Sequence, residues 1–468
     1  MADLLPKEFR KQRALILGFG REGQSTYQYI RNYYPEKELF IADQDPSIGN
    51  NPLILHDRNA VLQLGKNYMR GLSRFDMVFK TPGITLKTME GQFDPVKVTS
   101  QTDLFLNRYS DQVIGVTGTK GKSTTSTLIH HILRESGHDA VLLGNIGVPA
   151  FSFEDKIKHG TIIVYELSSH QLEFIHRGPH IGILLNLFEE HLDDYLSFAE
   201  YQLAKFNIAL MQKVSDSFIF NSDDKRINKY LKKDGIGSHL VPFARGKTLT
   251  AGCYTSRGRV FWSDGKNKEV ILETRDITSL TGDHNLYNIM AAVAACRLSG
   301  VESASIREGI STFKSLEHRL EYAGEVNGIQ FYNDSISTIP EASIAAVATI
   351  KNTATILLGG YDRGIDYSKL ARFLADSGIL NFILTGPAGD RIAKELMKLD
   401  ITGKNLFRIN RFEQFMPLAL NFTPPGKACL LSPAASSYDE FRNFEERGRK
   451  FKELVMNSIA QTRTKESK

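Results

Sequence analysis

The chain has 468 residues, 41% apolar and 24% charged, with a mean hydropathy of −0.24; at roughly 100–200 residues per domain this excludes a small single-domain module, and the composition excludes a disordered or fibrous chain. Lysine plus arginine exceeds aspartate plus glutamate by 58 − 53 = 5, too dilute a balance for a nucleic-acid footprint, so any anion site must be local.

The first predicted unit, residues 1–106, opens with the apolar run Arg13-Ala-Leu-Ile-Leu17 followed by Gly18, Gly20 and Gly23 in G-x-G-x-x-G spacing. A second run, Glu38-Leu-Phe-Ile-Ala-Asp43, ends in an acid. Strand, glycine turn, helix and acid form the layout of a mononucleotide-binding βαβ unit, although a glycine turn that merely packs has the same spacing. Strand-like Phe75–Lys80 and Val96–Thr99 continue the α/β pattern, with Thr81-Pro-Gly83 a turn between them.

The second unit, 107–315, begins with Gln112–Thr117, then Gly118-Thr-Lys-Gly-Lys-Ser-Thr124 and a helical run to Glu135. Val116 occupies the leading glycine position of a strict P-loop, but Gly115 and Gly118 bracket it. Backbone N–H groups and the helix N-terminus can face phosphate, with Lys122 as cation and Ser123 as a magnesium ligand. Glu166 ends the next apolar run, where it can reach the same metal, and another leads into Glu189, Glu190, His191, Asp193 and Asp194. Lys205 sits in a predicted helix over Ser197–Gln212, where its residue-level reading is a snorkelling lysine. Asn285 and Asn288 open an alanine-rich helix at i, i+3, able to cap a turn or to meet a base.

The third unit, 316–468, repeats apolar runs followed by polar loops: Asn333–Pro340, Gly359–Gly364, Gly386–Gly389 and Ser432–Ser437. On one rim of a parallel sheet these loops make a binding edge. The expected architecture is α/β throughout, three doubly wound domains in series with no strand-only stretch: an N-terminal Rossmann-like domain, a central P-loop ATPase sheet and a C-terminal Rossmann-like domain. Cys253, Cys296 and Cys429 are widely spaced, which fits a reducing compartment better than a disulfide framework or zinc site. With no signal-peptide layout and no apolar run of membrane length, the expected location is the cytoplasm, without membrane insertion.

The motif order resembles that of the Mur ligases, ATP-dependent amino-acid ligases of peptidoglycan synthesis, over nearly the whole chain. Gly118–Thr124 resembles their P-loop, Gly144-Asn-Ile-Gly147 their substrate turn, Asp283–Asn288 their adenine-side motif, and Glu317-His-Arg319 with Asn333-Asp-Ser335 the opening of their C-terminal domain. Glu166-Leu-Ser-Ser-His-Gln-Leu172 and Leu431–Ser437 with Phe444-Glu-Glu-Arg-Gly448 are most similar to the glutamate-adding member.

The resemblance implies UDP-N-acetylmuramoyl-L-alanine and glutamate as substrates, ATP and Mg2+ as cofactors, no nucleic-acid partner and a monomer. It assigns Gly118, Thr119, Lys120, Gly121, Lys122, Ser123, Thr124, Asn285, Asn288, Arg319 and Asp334 to ATP. Gly18, Gly20, Arg21, Glu22, Asp43, Thr81, Gly83 and Asn145 go to the UDP-substrate, and Thr338, Arg363, Ser432 and Phe441 to the amino acid. The metal set is Ser123, Glu166, His191 and Lys205, with Lys205 carbamylated; Lys122, His191, Lys205 and Arg319 are the catalytic residues, and Arg319 and Asp334 are expected to close on the nucleotide.

Ile336, Ile339 and Arg363 depart from the usual Lys, Asn and Lys, and the Asp-Ser-Ile-Ser-Thr loop is shared with an L-glutamate-using variant subfamily. The expected substrate is D-glutamate, with L-glutamate the alternative. Folylpolyglutamate synthase chemistry leaves 1–106 unexplained, a nicotinamide oxidoreductase has no need of Lys122 or Glu166, and a non-catalytic nucleotide-binding protein would not turn over. Amino-acid-dependent phosphate release separates these three from a glutamate ligase.

Overall fold

The computed structural model describes residues 4–89, 91–144, 149–188, 195–232, 235–277, 280, 283–313 and 317–466. The chain forms two compact units, Met1–Lys314 and Ser315–Lys468.

The first unit holds two sheets. The smaller has strands β1 (Ala14–Leu17), β2 (Leu39–Asp43), β3 (Ala60–Leu64), β4 (Met77–Lys80) and β5 (Val98–Thr99) in the order β3-β2-β1-β4-β5. All its pairings are parallel. Residues of β1 are wholly buried, as expected of a strand covered on both faces. The order reverses direction at β1, so the crevice beyond the carboxyl ends of β1 and β4 is the switch point where such sheets bind ligands.

The larger sheet contains β6 (Val113–Thr117), β7 (Ala140–Gly144), β8 (Ile162–Glu166), β9 (Ile181–Leu184), β10 (Ser217–Asn221), β11 (His239–Arg245), β12 (Ala251–Ser256), β13 (Arg259–Asp264) and β14 (Lys268–Glu273). Their order is β14-β13-β12-β11-β10-β9-β6-β8-β7, with a switch point at β6. One core, with Leu128, Ile132, Ile289 and Val293, covers one face; another, with Phe206, Ile208 and Phe218, lies on the other.

The expectation of no strand-only stretch is corrected by residues 239–273, four strands without an intervening helix. β12, β13 and β14 pair antiparallel. The reason is local: Arg257 and Gly258 adopt φ of +48° and +75°, a tight hairpin connection, and Val260 and Trp262 turn inward while Arg259 and Asp264 stay exposed.

In the second unit β15 (Glu321–Val326), β16 (Ile329–Asn333), β17 (Thr353–Gly359), β18 (Asn381–Thr385), β19 (Asn405–Ile409) and β20 (Ala428–Leu431) form a sheet ordered β15-β16-β20-β17-β18-β19. Only the β15–β16 pair is antiparallel. The carboxyl ends of β16, β20 and β17 thus lie side by side. Gly386–Gly389, expected as loop, is instead the first turn of the helix Gly386–Leu396, with Pro387 in its opening positions, where the missing N–H costs nothing.

Candidate active site

The loop after β6 is a phosphate cradle by conformation. Gly118 and Gly121 have φ of +154° and +86°, left-handed values that favour glycine. A Cβ on Gly118 would lie 2.9 Å from Leu185 Cβ, and one on Gly121 2.3 Å from Asn288 Oδ1. The helix Lys122–Glu135 starts directly after Gly121, so its N-terminal N–H groups open onto the cradle. Lys122 Nζ folds back to donate to the carbonyls of Gly118 and Thr119, both at 3.1 Å. Ser123 Oγ donates to Glu166 Oε1 at 3.0 Å, and Glu166 is fully buried. A hydroxyl beside a buried carboxylate is a hard-oxygen donor set that suits Mg2+.

Lys205 does not snorkel. It is 2% exposed, its Nζ donates to Gly118 O at 2.9 Å and lies 4.9 Å from the Tyr201 ring centre. The lysines of the P-loop and of the helix Phe198–Leu210 therefore meet at one carbonyl. Tyr201 and Thr119 share a hydroxyl hydrogen bond at 3.0 Å. Asn186 clamps the loop from below: its Oδ1 accepts from Lys120 N at 2.8 Å and its Nδ2 donates to Lys120 O at 3.0 Å. Asn288 Nδ2 donates to Asn285 Oδ1 at 3.0 Å, so the Asn285–Asn288 face lies against Gly121 of the P-loop.

The turn after β1 follows the same plan. Gly18 has φ +92°, and a Cβ there would lie 2.1 Å from Thr81 Oγ1; one on Gly23 would lie 2.1 Å from Gly18 O. A Cβ on Gly20 or Gly83 meets nothing within 4 Å, so packing does not require glycine at either position. Phe19 N donates to Asp43 Oδ2 at 2.7 Å and Thr81 Oγ1 to Leu17 O at 3.1 Å. Asp43 and Thr81 thereby hold the turn open. Arg21 is exposed and Glu22 sits on the first turn of the helix Arg21–Tyr33.

In the second unit, His318 and Leu320 have φ of +65° and +46° and flank the half-buried Arg319. Asp334 is 2% exposed; its Oδ1 accepts from Leu320 N at 3.2 Å and its Oδ2 from Ser432 Oγ at 2.7 Å. Burial lifts its carboxyl to about 6 against the opposing pull of Ser337, Ser432, Leu320 and Arg319. Arg363 is exposed and its Nη2 donates to Thr338 O at 3.0 Å. Ser432 is fully buried, and Phe441 packs edge-on against Phe412 at 5.1 Å.

A family model described as the Mur ligase middle domain matches residues 116–296. The UDP-N-acetylmuramoylalanine--D-glutamate ligase of Acetivibrio thermocellus is 32% identical over 461 residues, covering 97% of this chain and 98% of that protein. The enzyme of the same name from Geobacillus kaustophilus is 33% identical, over 96% and 98%. The chain belongs to the Mur ligase family. Its fold is also that of two solved Thermotoga maritima Mur ligases. The MurF ligase in complex with ADP has 15% identity, 99% and 100% coverage and a TM-score of 0.54; the UDP-N-acetylmuramate-alanine ligase MurC has 18%, 96% and 100%, and 0.52.

For this Mur ligase, the structure gathers Gly118, Thr119, Lys120, Gly121, Lys122, Ser123, Glu166, Lys205, Asn285 and Asn288 around one loop. Thr124 lies in the helix Lys122–Glu135. Asn145 and His191 lie outside the described residues. Sequence reasoning missed Asn186 and Tyr201, which carry no motif signal. It also passed over Arg447 inside a quoted motif: this arginine is 2% exposed and donates to Ser335 Oγ at 3.0 Å, Ser335 O at 2.9 Å and Ala435 O at 3.1 Å. It ties the loops after β16 and β20 together.

Proposed function

We propose that this Mur ligase joins glutamate to the alanyl carboxylate of UDP-N-acetylmuramoyl-L-alanine with cleavage of ATP to ADP and phosphate. The observation that carries the reading is the P-loop in which Lys122, the Ser123–Glu166 pair and the buried Lys205 converge. The alanyl carboxylate attacks the γ-phosphorus of ATP, the bond to ADP breaks, and an acyl phosphate results. The glutamate amine then adds to the acyl carbon, loses a proton and expels phosphate as the amide forms. Lys122 and the helix N-terminus hold the transferring phosphoryl group, where fixed positive charge favours the transition state. Mg2+ when bound supplies further neutralisation of phosphate charge, with Ser123 and Glu166 holding one ion, and His191 and Lys205 assigned to a second.

Lys205 is proposed to serve as its carbamate, since carbamylation converts a cation into a carboxylate-like anion that a hard divalent ion prefers. Its burial against the P-loop supports this over a surface role. Asn285 and Asn288 are assigned to the adenine side, with Arg319 and Asp334 completing the nucleotide set. The glycine turn with Arg21, Glu22, Asp43, Thr81, Gly83 and Asn145 is assigned to the UDP-substrate. Division into 1–106, 107–315 and 316–468 as UDP-substrate, ATP and glutamate domains, a monomeric state and a cytoplasmic location belong to the same reading. D-Glutamate is favoured by the relatives' names. L-Glutamate is the second reading, carried by the loop after β16, where Ile336 is half-buried and Ile339 is 44% exposed. The test is mass spectrometry of a reaction with ATP, Mg2+, UDP-N-acetylmuramoyl-L-alanine and glutamate. One added glutamyl residue per ADP released is expected; ADP release without that product contradicts the assignment.

A further inference from the structure

The hairpins at the far end of the larger sheet enclose a cavity that neither the P-loop nor the glycine turn uses. Its volume is about 520 Å3, within the range of small-molecule sites. Arg257 stands at the turn between β12 and β13, Arg259 on β13, and Lys268 and Glu273 at the two ends of β14. All four line the cavity, with the hydroxyl residues Thr248 and Ser256 beside them. β9, β10 and β11 lie between β6 and β12, so at about 4.8 Å per strand the cavity is on the order of 20 Å from the P-loop.

The walls are held in place by the hairpin itself. Arg259 Nε donates to Glu273 Oε1 at 2.6 Å. The one apolar lining residue, Phe261, stacks on Tyr254 with ring centres 5.2 Å apart, and Lys268 Nζ lies 4.4 Å from the Phe261 centre and 5.3 Å from that of Tyr254. The Tyr254 hydroxyl is buried and, among the described residues, has no hydrogen-bond partner. Arg257 holds a φ of +48° at a turn that favours Asn or Gly. Among the described residues neither Arg257 nor Lys268 has an ion-pair partner.

Exposed cations that only keep a hairpin soluble would account for the charge. They would not account for three of them facing one concavity, two of these fixed by a carboxylate and by an aromatic pair. We propose that this cavity is a second anion site of the chain, taking a phosphorylated small molecule with at least two negative charges. Three cations against one carboxylate leave a net charge of +2 in the lining, and six of its seven residues are charged or carry a hydroxyl, which excludes an apolar ligand. Guanidinium, ammonium and hydroxyl groups are the donors that phosphate oxygens accept from. An acidic peptide adding as a further strand is the competing occupant, but the edge of β14 is taken. Arg307, on the helix Ser303–Thr312, donates to Ile271 O at 2.6 Å and to Val270 O at 3.4 Å. The site goes beyond the ligase reading and does not depend on it.

The test is equilibrium dialysis of the full chain against labelled inorganic pyrophosphate, without Mg2+ or substrates. The double variant Arg257→Gly, Lys268→Gln keeps a residue that suits the left-handed turn. It is expected to bind one pyrophosphate fewer per chain than the wild type, or to bind that one about tenfold or more weakly, the scale of lost charge-assisted hydrogen bonds. Arg257→Lys is expected to retain it, and Lys122→Ala to leave it in place. Emission from Trp262, the single tryptophan of the chain and the neighbour of Phe261, reports an intact hairpin in each variant. Equal stoichiometry and affinity in the double variant and the wild type overturns the proposal. Unchanged pyrophosphate binding with weakened binding of a polyglutamate peptide also overturns it and gives the surface to an acidic protein segment. If UDP or ADP displaces this pyrophosphate from the wild type, the ligand is a nucleotide diphosphate; if only inorganic phosphate does, it is the free ion. Both of these results uphold the site.

Discussion

The turns after β1 and β6 stand at the switch points of two sheets in the same unit, each with glycines that neighbouring atoms would forbid to carry a side chain. They differ in where their charge comes from. The P-loop carries Lys122 and Ser123 next to its glycines, and Glu166 and Lys205 reach it from the neighbouring strand and a following helix. Within the turn after β1 the only cation is the exposed Arg21, and the buried cation of that crevice, Lys80, comes from the end of β4. A phosphoryl group that must react meets charge from several sides, whereas a diphosphate that is only held needs backbone donors and one or two side chains.

The largest effect that this contrast predicts is at Lys122. Lys122→Ala should lower ligation by about a hundredfold or more, the cost of losing one preorganised electrostatic group, with the melting temperature kept. A melting temperature that falls with the activity would make Lys122 a structural residue and erase the contrast. Lys205→Ala should cost a similar factor and regain part of it with a short carboxylic acid. Absence of rescue, together with no carbamate signal in carbon NMR of the wild type, would remove Lys205 from the metal set.

Asp334 offers a control in the second unit. Burial holds its folded carboxyl at about 6, above the 3.8 of a free aspartate, so the folded state binds the extra proton and stability falls as pH rises between those values. A shift of that size is worth on the order of 3 kcal/mol. Asp334→Asn should therefore lose activity yet melt no lower than wild type at pH 7, and the fall in stability between pH 4 and 6 should shrink. A large loss of stability at pH 7 would instead make the Ser432–Asp334–Leu320 bonds structural. The smallest effect is at Gly20, where the fold leaves room for a side chain. Gly20→Val should raise KM for the UDP-substrate about tenfold, the scale of one lost charged hydrogen bond, and leave KM for ATP unchanged. Equal changes in both would contradict the separate duties of the two turns.

What was legible in the sequence followed contiguity. Gly118–Thr124 and the strand before it announce themselves because strand, cradle, cation and hydroxyl are neighbours along the chain, and the strands Asn381–Thr385 and Ala428–Leu431 are legible because fully buried parallel strands are unbroken apolar runs. Lys205 did not announce itself by its local pattern, since a lysine in an apolar helix reads as snorkelling; only the family resemblance placed it in the metal set, and its burial and its bond to Gly118 O are what remove the snorkelling reading. Asn186 acts through space, across 66 residues to Lys120. The hairpins of β12–β14 escaped because short alternating strands among polar residues resemble loops, although Val260 and Trp262 alternate inward.

Glutamate dependence of phosphate release tests the central claim most directly. Initial rates of phosphate release should be measured with ATP, Mg2+ and UDP-N-acetylmuramoyl-L-alanine, alone and with D-glutamate, L-glutamate or each other common amino acid. The account predicts release that rises with glutamate, more with the D form than the L form, and with no other amino acid. A higher rate with L-glutamate would reverse the order of the two readings and leave the ligase chemistry standing. No stimulation by either enantiomer, with ATP and the UDP-substrate both bound, would contradict it.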